Sequence, residues 1–78
     1  FEDLEIGATS WAVGKNLRDL ELDERYGVVA VGMRDEKGSP LVYCPEPSAL
    51  LQGGSTLVVL GNSDNVRRIR EDLNRDAN

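Results

Sequence analysis

Residues 10–34 read SWAVGKNLRDLELDERYGVVAVGMR and combine the pattern of a short helix with that of a strand. Leu17 and Leu20 lie three positions apart, so in a helix they share one face. Gly27 is placed to end that helix, because glycine accepts the left-handed conformation that a helix end often needs. The apolar run 28–31 follows it and predicts a buried strand. One short segment therefore supplies both a helix and part of the sheet that the helix would cover.

Three further segments complete the predicted sheet. A polar turn at 35–39 joins the strand 27–34 to a second apolar run at 41–44, which predicts a hairpin. The weakly alternating stretch 1–9 predicts an edge strand, because charged residues guard it. Residues 55–61 contain four apolar residues in succession, which is typical of a central strand that is screened on both faces.

Two helical segments follow the hairpin in the sequence. The segment 47–52 predicts one helical turn that carries Leu50 or Leu51 inward. The last helix begins after 62–64, whose side chains can cap it, and residues 76–78 should fray. The order β-α-β-β-β-α predicts an α+β domain, with helices packed on one face of a small, mostly antiparallel sheet. The inward stripe of the last helix consists of Val66, Ile69 and Leu73.

Length and composition limit what the chain can do. Its 78 residues make one small domain, 1–78, near the lower size at which a single core stabilises itself. A chain this small buries little surface by itself, and self-association would bury more. The formal net charge of −5 disfavours non-specific binding of nucleic acid, so no nucleic-acid partner is expected.

Catalysis is not expected from these residues. The sequence has no histidine, which is the usual general base at neutral pH. Cys44 lies on a predicted strand without a base nearby, which favours a buried or interface thiol over a nucleophile. Asp19, Glu21 and Asp23 alternate but lack the glycine and the distal glutamate of an EF-hand. No catalytic residue, metal site or cofactor is therefore predicted, although divalent-cation binding at an acidic patch stays open.

An ordered series of residues runs through most of the chain at a spacing that a known family shares. Its first half is a serine, Gly-Lys, two spaced leucines, Arg-Tyr-Gly and an apolar strand that closes on arginine. Its second half is a proline, a leucine, a glycine pair, two strand positions and a final glycine. With these residues the chain resembles the C-terminal lobe of RCK (regulator of potassium conductance) modules, also called the TrkA-C domain. The matching residues are Ser10, Val13, Gly14, Lys15, Leu17, Leu20, Arg25, Tyr26, Gly27, Val29, Val31, Arg34, Pro47, Leu51, Gly53, Gly54, Leu57, Val59 and Gly61.

The resemblance implies a regulatory domain and not an enzyme. Such lobes pair about a two-fold axis, and in several members the groove at that axis holds a regulatory ligand. The expected function is a ligand-sensing dimerisation domain that regulates a potassium channel or another cation transporter. The alternative is a purely structural dimerisation module without a ligand. By the same resemblance, the groove would be lined from both copies by Leu22, Asp23, Arg25, Tyr26, Gly27, Val28 and Val29.

Partners and location also follow from the resemblance. The expected partners are a second copy of the chain in a homodimer, the membrane-embedded channel or transporter part of the parent protein, and a small-molecule or cation effector. The domain would lie at the cytoplasmic face of the membrane, as part of a membrane-associated protein. The single cysteine, which cannot form an internal disulfide, fits a reducing compartment.

Two positions depart from family members that bind cyclic di-AMP. Those members use an arginine where this chain has Asp23 and an asparagine where it has Val29. Asp23 would repel a phosphate instead of neutralising its charge. The resemblance therefore does not imply cyclic di-AMP as the ligand, and a cation, a different small molecule or no ligand stays open.

Overall fold

The computed structural model describes residues 1–36 and 38–75, in which four strands form one antiparallel sheet. The strands are β1 Glu2–Glu5, β2 Val29–Arg34, β3 Val42–Tyr43 and β4 Thr56–Leu60. Their order across the sheet is β1-β4-β2-β3. The predicted edge position of the first strand and central position of the strand in 55–61 are therefore confirmed. The predicted turn is described except at Lys37, and the predicted fraying at 76–78 lies outside the described residues.

The helices are α1 Leu17–Leu20, a π-helix Leu22–Tyr26 and α2 Ser63–Leu73, and with the sheet they confirm the α+β class. The prediction of one continuous first helix is wrong. Glu21 adopts the left-handed conformation, with φ 50°, and separates α1 from the π-helix. Leu20 and Leu22, two positions apart, would lie on different faces of a regular helix. The break lets both side chains enter the core.

The core lies between the helices and one face of the sheet. Leu57 and Val59 of β4 are fully buried and belong to the same core cluster as Val66, Ile69 and Leu73 of α2, so the predicted inward stripe of α2 is confirmed. Asn62 caps α2 as predicted, because its side-chain oxygen accepts a hydrogen bond from the Asn65 N–H at 2.8 Å. The buried apolar residues are Leu4, Ile6, Ala12, Leu17, Leu20, Leu22, Tyr26, Val28, Met33, Leu51, Leu57, Val59, Val66, Ile69 and Leu73.

The opposite face of the sheet carries apolar side chains that stay in contact with solvent. Val29 of β2 pairs with Leu60 of β4, and the two are 55% and 52% exposed. The prediction of a buried strand at 28–31 is therefore only partly right: residues 29–31 lie in β2 without being fully buried, and the fully buried Val28 precedes the strand. The prediction that β4 is screened on both faces is wrong at Leu60. Both errors have one cause, since in a single chain the helices cover one face only.

The segment 47–52 is extended after a turn and is not helical, so the prediction of a helical turn is wrong. The backbone N–H of Leu51 donates a hydrogen bond to the Lys15 carbonyl oxygen at 2.9 Å. This pairing to the loop before α1 takes the place of hydrogen bonds within a helix. Leu51 is fully buried and Leu50 is 56% exposed, so Leu51 is the residue that turns inward.

The β2–β3 hairpin is confirmed, but its second strand is short and exposed. Val42 and Tyr43 are exposed on the edge strand β3. Cys44 follows them in the left-handed conformation, with φ 51°, and its side chain is also exposed. Of the two predicted environments, a buried or an interface thiol, the structure rules out burial within the single chain, and the interface thiol stays a prediction.

Candidate functional site

The seven residues predicted to line a dimer groove divide into two groups. Three of them belong to the chain's own core, namely Leu22, Tyr26 and Val28. The other four are exposed, namely Asp23, Arg25, Gly27 and Val29. In the single chain, the four exposed positions are the ones whose side chains are most accessible to a second copy. The groove with its seven residues stays a prediction.

The π-helix ends at Gly27, as the sequence predicted for the first helix. Gly27 has φ 66° and ψ 30°, and its N–H donates a hydrogen bond to the Asp23 carbonyl oxygen at 3.0 Å. A Cβ atom at this position would lie 2.8 Å from Nδ2 of Asn65. Conformation and space both favour glycine here. π-Helical turns frequently occur at functional sites, so the exposed residues on this π-helix are candidates for binding.

Tyr26 links the π-helix to the end of α2. Its hydroxyl donates a hydrogen bond to Oδ2 of Asp72 at 2.5 Å. The indole Nε1 of Trp11 donates to the backbone oxygen of the same residue at 2.5 Å. Asp72 therefore joins three parts of the chain that are distant in sequence: the first loop, the π-helix and α2.

Two arginines lie close to the ring of Tyr26. The guanidinium carbons of Arg25 and Arg68 are 5.7 and 6.0 Å from the ring centroid, within the range of cation–π attraction. Burial raises the pKa of Tyr26 above its ordinary value, and the hydrogen bond to Asp72 raises it further. The phenol therefore stays protonated and able to donate to Asp72 at neutral pH.

Substitution of Tyr26 by phenylalanine is expected to destabilise the domain by about 1 kcal/mol, because Asp72 loses a buried donor. For a domain of this size, that loss corresponds to a fall in Tm of about 4–8 °C. The measurement is thermal unfolding at neutral pH. Tyr43→Phe is the matched control, since Tyr43 is 75% exposed, and it should leave the Tm unchanged.

The same pair of variants gives a pH test. Because the folded pKa of Tyr26 is raised, its contribution to stability is complete below the ordinary tyrosine pKa of about 10 and is lost as the pH rises through the folded pKa. The free energy of unfolding of Tyr26→Phe should lack that alkaline decline. An identical decline in wild type and Tyr26→Phe would contradict the assigned role of the phenol.

A cavity of about 340 Å³ lies beside the π-helix, between the helical segments, β2 and the proline segment 45–47. Its charged lining groups are one arginine and two glutamates, so it suits a polar or cationic molecule better than a polyanion. Only Leu22 of the seven predicted residues lines it. The two proline residues come from a distant part of the sequence, and local patterns could not associate them with α1. The lining residues are Leu17, Arg18, Glu21, Leu22, Glu24, Ala30, Pro45 and Pro47.

The open face of the sheet forms a second surface that sequence reasoning missed. Strand register places Val29, Leu60 and Tyr43 on this face, and all three are more than half exposed. Asp3 of β1 lies opposite Val58 on the same face. Exposed apolar patches of this kind mark interaction surfaces.

Acidic residues remain dispersed in the described part of the chain. Asp19, Glu21 and Asp23 are all exposed. Among the described residues, no three His, Cys, Asp or Glu side chains come together in a group that could hold a metal ion. Within the same ranges, none of the helices has both the length and the apolar character needed to cross a bilayer.

Comparisons with known proteins agree on one family and one fold. The sequence model of the TrkA-C domain matches residues 1–74. The RCK_C domain dimer of S. agalactiae BusR in complex with c-di-AMP superposes with a TM-score of 0.81 at 19% identity, covering 94% of this chain and 93% of that one. The RCK C domain of the potassium transport protein KtrA in complex with c-di-AMP superposes with a TM-score of 0.76 at 22% identity, covering 91% and 81%. No curated protein sequence matches the chain.

The expectation that nucleic acid is absent from the partners is wrong for proteins that contain this fold. S. agalactiae BusR in complex with its busAB-promotor DNA matches with a TM-score of 0.80 at 19% identity. The match covers 94% of this chain but only 35% of the DNA-bound chain. The charge of one small domain describes only its own surface, so it cannot exclude DNA contacts by other parts of a larger protein.

Proposed function

Because the chain belongs to the TrkA-C domain family, we propose that it is a ligand-sensing regulatory domain that works as a homodimer. The proposal assigns it to the control of potassium or other cation transport, in the cytoplasm. The observation that carries this proposal is the family match over residues 1–74. Support comes from solved domains of the same fold, one a dimer and one from a potassium transport protein, both in complex with c-di-AMP.

The proposed contact between copies uses the exposed members of the predicted groove. Asp23, Arg25 and Gly27 lie on the π-helix or at its end, and Val29 continues onto the open face of the sheet. In a two-fold dimer each of these positions occurs twice, so their charges and apolar groups are doubled. A chain of 78 residues with an exposed apolar sheet face gains stability when a second copy covers that face.

An effector in the groove would act through the relative orientation of the two copies. The π-helix is joined to α2 through the hydrogen bond from Tyr26 to Asp72. A ligand that binds one arrangement of the dimer more tightly than another shifts the population toward it. This hydrogen bond would couple the groove to the C-terminal end of α2.

Asp23 and Val29 argue for an effector other than cyclic di-AMP. The exposed carboxylate of Asp23 is presented twice in the proposed dimer and repels phosphate groups. Val29 offers no hydrogen bond to a nucleobase. Together with the acidic lining of the neighbouring cavity, these residues favour a cation or a polar molecule of low negative charge.

The first experiment measures oligomeric state and ligand response together. Light scattering at micromolar concentration should give the mass of a dimer, and a monomer would contradict the proposal. Thermal unfolding is then repeated with divalent cations, nucleotides and cyclic di-AMP. A ligand at a hundredfold excess over its Kd stabilises the fold by about 2.7 kcal/mol, a shift of about 10 °C or more. A dimer without any shift across the panel would favour the purely structural dimerisation module.

The response to cyclic di-AMP is the most specific test in this panel. The wild-type chain should show no thermal shift with it, whereas the double substitution Asp23→Arg and Val29→Asn should create one. The double variant removes the carboxylate that repels phosphate. It also introduces the arginine and the asparagine that the family members binding cyclic di-AMP use. Asp19→Arg, an equal change of charge at an exposed position on α1, is the control and should not respond. A clear shift with the wild-type chain would contradict the role assigned to Asp23.

A further inference from the structure

A cavity of about 670 Å³ lies between the β2–β3 hairpin and the segment 44–49, within the size range of small-molecule sites. It is formed within a single chain. None of the described residues that line it belongs to the seven positions of the predicted groove. Its apolar lining residues are Met33, Pro40, Val42, Pro45 and Ala49.

The apolar lining belongs to the face of the sheet that the helices cover. Met33 is buried in the core and pairs with Leu57 on one side and with Val42 on the other. Val42 is 59% exposed, so the cavity presents apolar surface that a ligand can reach. Arg34 also borders the cavity, but it is the next residue of β2 after Met33. Successive side chains of a strand point to opposite faces, so its guanidinium lies on the other face of the sheet.

Two carboxylates therefore set the charge on this side of the sheet. Asp35 and Glu46 line the cavity from two different segments of the chain, and both are exposed. In residues 1–36 and 38–75, no ion pair engages either carboxylate. Their negative charges repel anions and attract cations.

The apolar lining and the two carboxylates together select one class of ligand. A bare metal ion is a poor match, because no three acidic, histidine or cysteine side chains of the described residues come together to hold one. An anion is repelled by both carboxylates. A neutral apolar molecule leaves both charges without a partner. The surroundings match an ammonium group attached to an apolar body.

We propose that this cavity binds a small organic cation, with its charged group near Asp35 and Glu46 and its apolar body against Met33, Val42 and Ala49. The site is separate from the proposed dimer groove and occurs once in each chain. The apolar lining supplies contact area, and the two carboxylates discriminate a cation from a neutral molecule or an acid of the same size.

Met33 makes the proposal measurable, because it is the only methionine of the sequence and lines the cavity. Labelling the methionine methyl group of the full chain with ¹³C gives one NMR signal at the site. Hexylammonium should shift this signal saturably. Hexanol should bind about five- to twentyfold more weakly, since each exposed ion pair contributes up to about fivefold in affinity. Hexanoate should bind more weakly than hexanol. Sodium chloride should weaken the binding of hexylammonium and leave that of hexanol nearly unchanged.

Substitution of the carboxylates identifies the groups responsible. Asp35→Asn and Glu46→Gln should each lower the affinity for hexylammonium about two- to fivefold and leave that for hexanol unchanged. The double variant should no longer distinguish hexylammonium from hexanol. Asp19→Asn is the matched control, because it removes an equal charge from an exposed position on α1, and it should bind hexylammonium as the wild type does.

The three probes decide the question with the wild-type chain alone. A Met33 signal that does not respond to hexylammonium, or equal affinities for hexylammonium, hexanol and hexanoate, would overturn the proposal. The result is also independent of the proposed function. A monomeric chain that binds hexylammonium supports this site and contradicts only the dimer, whereas a dimer that fails to bind it contradicts only this site.

Discussion

Replacement of Leu57 by alanine is expected to remove a large part of the stability of the domain. Leu57 is fully buried on the central strand β4, and its register neighbours on either side are Leu4 of β1 and Met33 of β2. Truncation of such a leucine costs about 2–5 kcal/mol, because a cavity remains among packed side chains. A 78-residue domain has roughly 4–12 kcal/mol in total, at about 0.05–0.15 kcal/mol per residue. The Tm should therefore fall by at least about 10 °C.

Leu50→Ala provides the control for this measurement. The substitution is chemically identical, but Leu50 is 56% exposed in the segment that follows the hairpin. Its effect on the free energy of unfolding should stay within about 0.5 kcal/mol. Thermal or urea unfolding at one protein concentration measures both variants. Equal losses for the two leucines would show that β4 is not the centre of the core.

Substitution of Val29 by glutamate is expected to give a stable monomer. Val29 is 55% exposed on the open face of the sheet, so the single chain should lose little stability. In a two-fold dimer the new carboxylate faces an apolar patch and its own symmetry copy. Its negative charge also adds to that of Asp23. Like charges placed together at an interface cost several kcal/mol, so the dimer Kd should rise at least about a hundredfold.

Val42→Glu tests whether the dimer forms through the open face of the sheet and not through the other side. Val42 is 59% exposed, but it lies opposite Met33, whose side chain belongs to the core side. The same substitution there should leave the dimer intact. Sedimentation equilibrium over a range of concentrations distinguishes the two variants. Dissociation by Val42→Glu with a stable Val29→Glu dimer would move the interface to the other side of the sheet.

Local patterns predicted the elements whose structure depends on neighbours in the sequence. The stripe of Val66, Ile69 and Leu73 has helical spacing, and each residue is buried on α2. Asn62 caps that helix, and Gly27 ends the π-helix, because each effect acts within a few residues. The central position of β4 also followed from its own composition.

The errors concern residues whose environment depends on distant segments. The burial of Leu20 and Leu22 together required a break at Glu21 that no helical period contains. The apolar run that includes Val29 gave no information on which face of the sheet the helices would cover. The same limitation hid the cavity beside the π-helix, to which Pro45 and Pro47 contribute from a distant segment.

Taken alone, the amino-acid order determined the family, the α+β class and the positions of the turns and caps. These depend on short-range periodicity and on residue types at fixed spacings, which a linear sequence contains in full. Along the sheet, the packing of distant segments set which apolar residues are buried and which face solvent. Burial depends on which distant segments pack together, so Val28 and Val29, adjacent in the chain, lie in opposite environments.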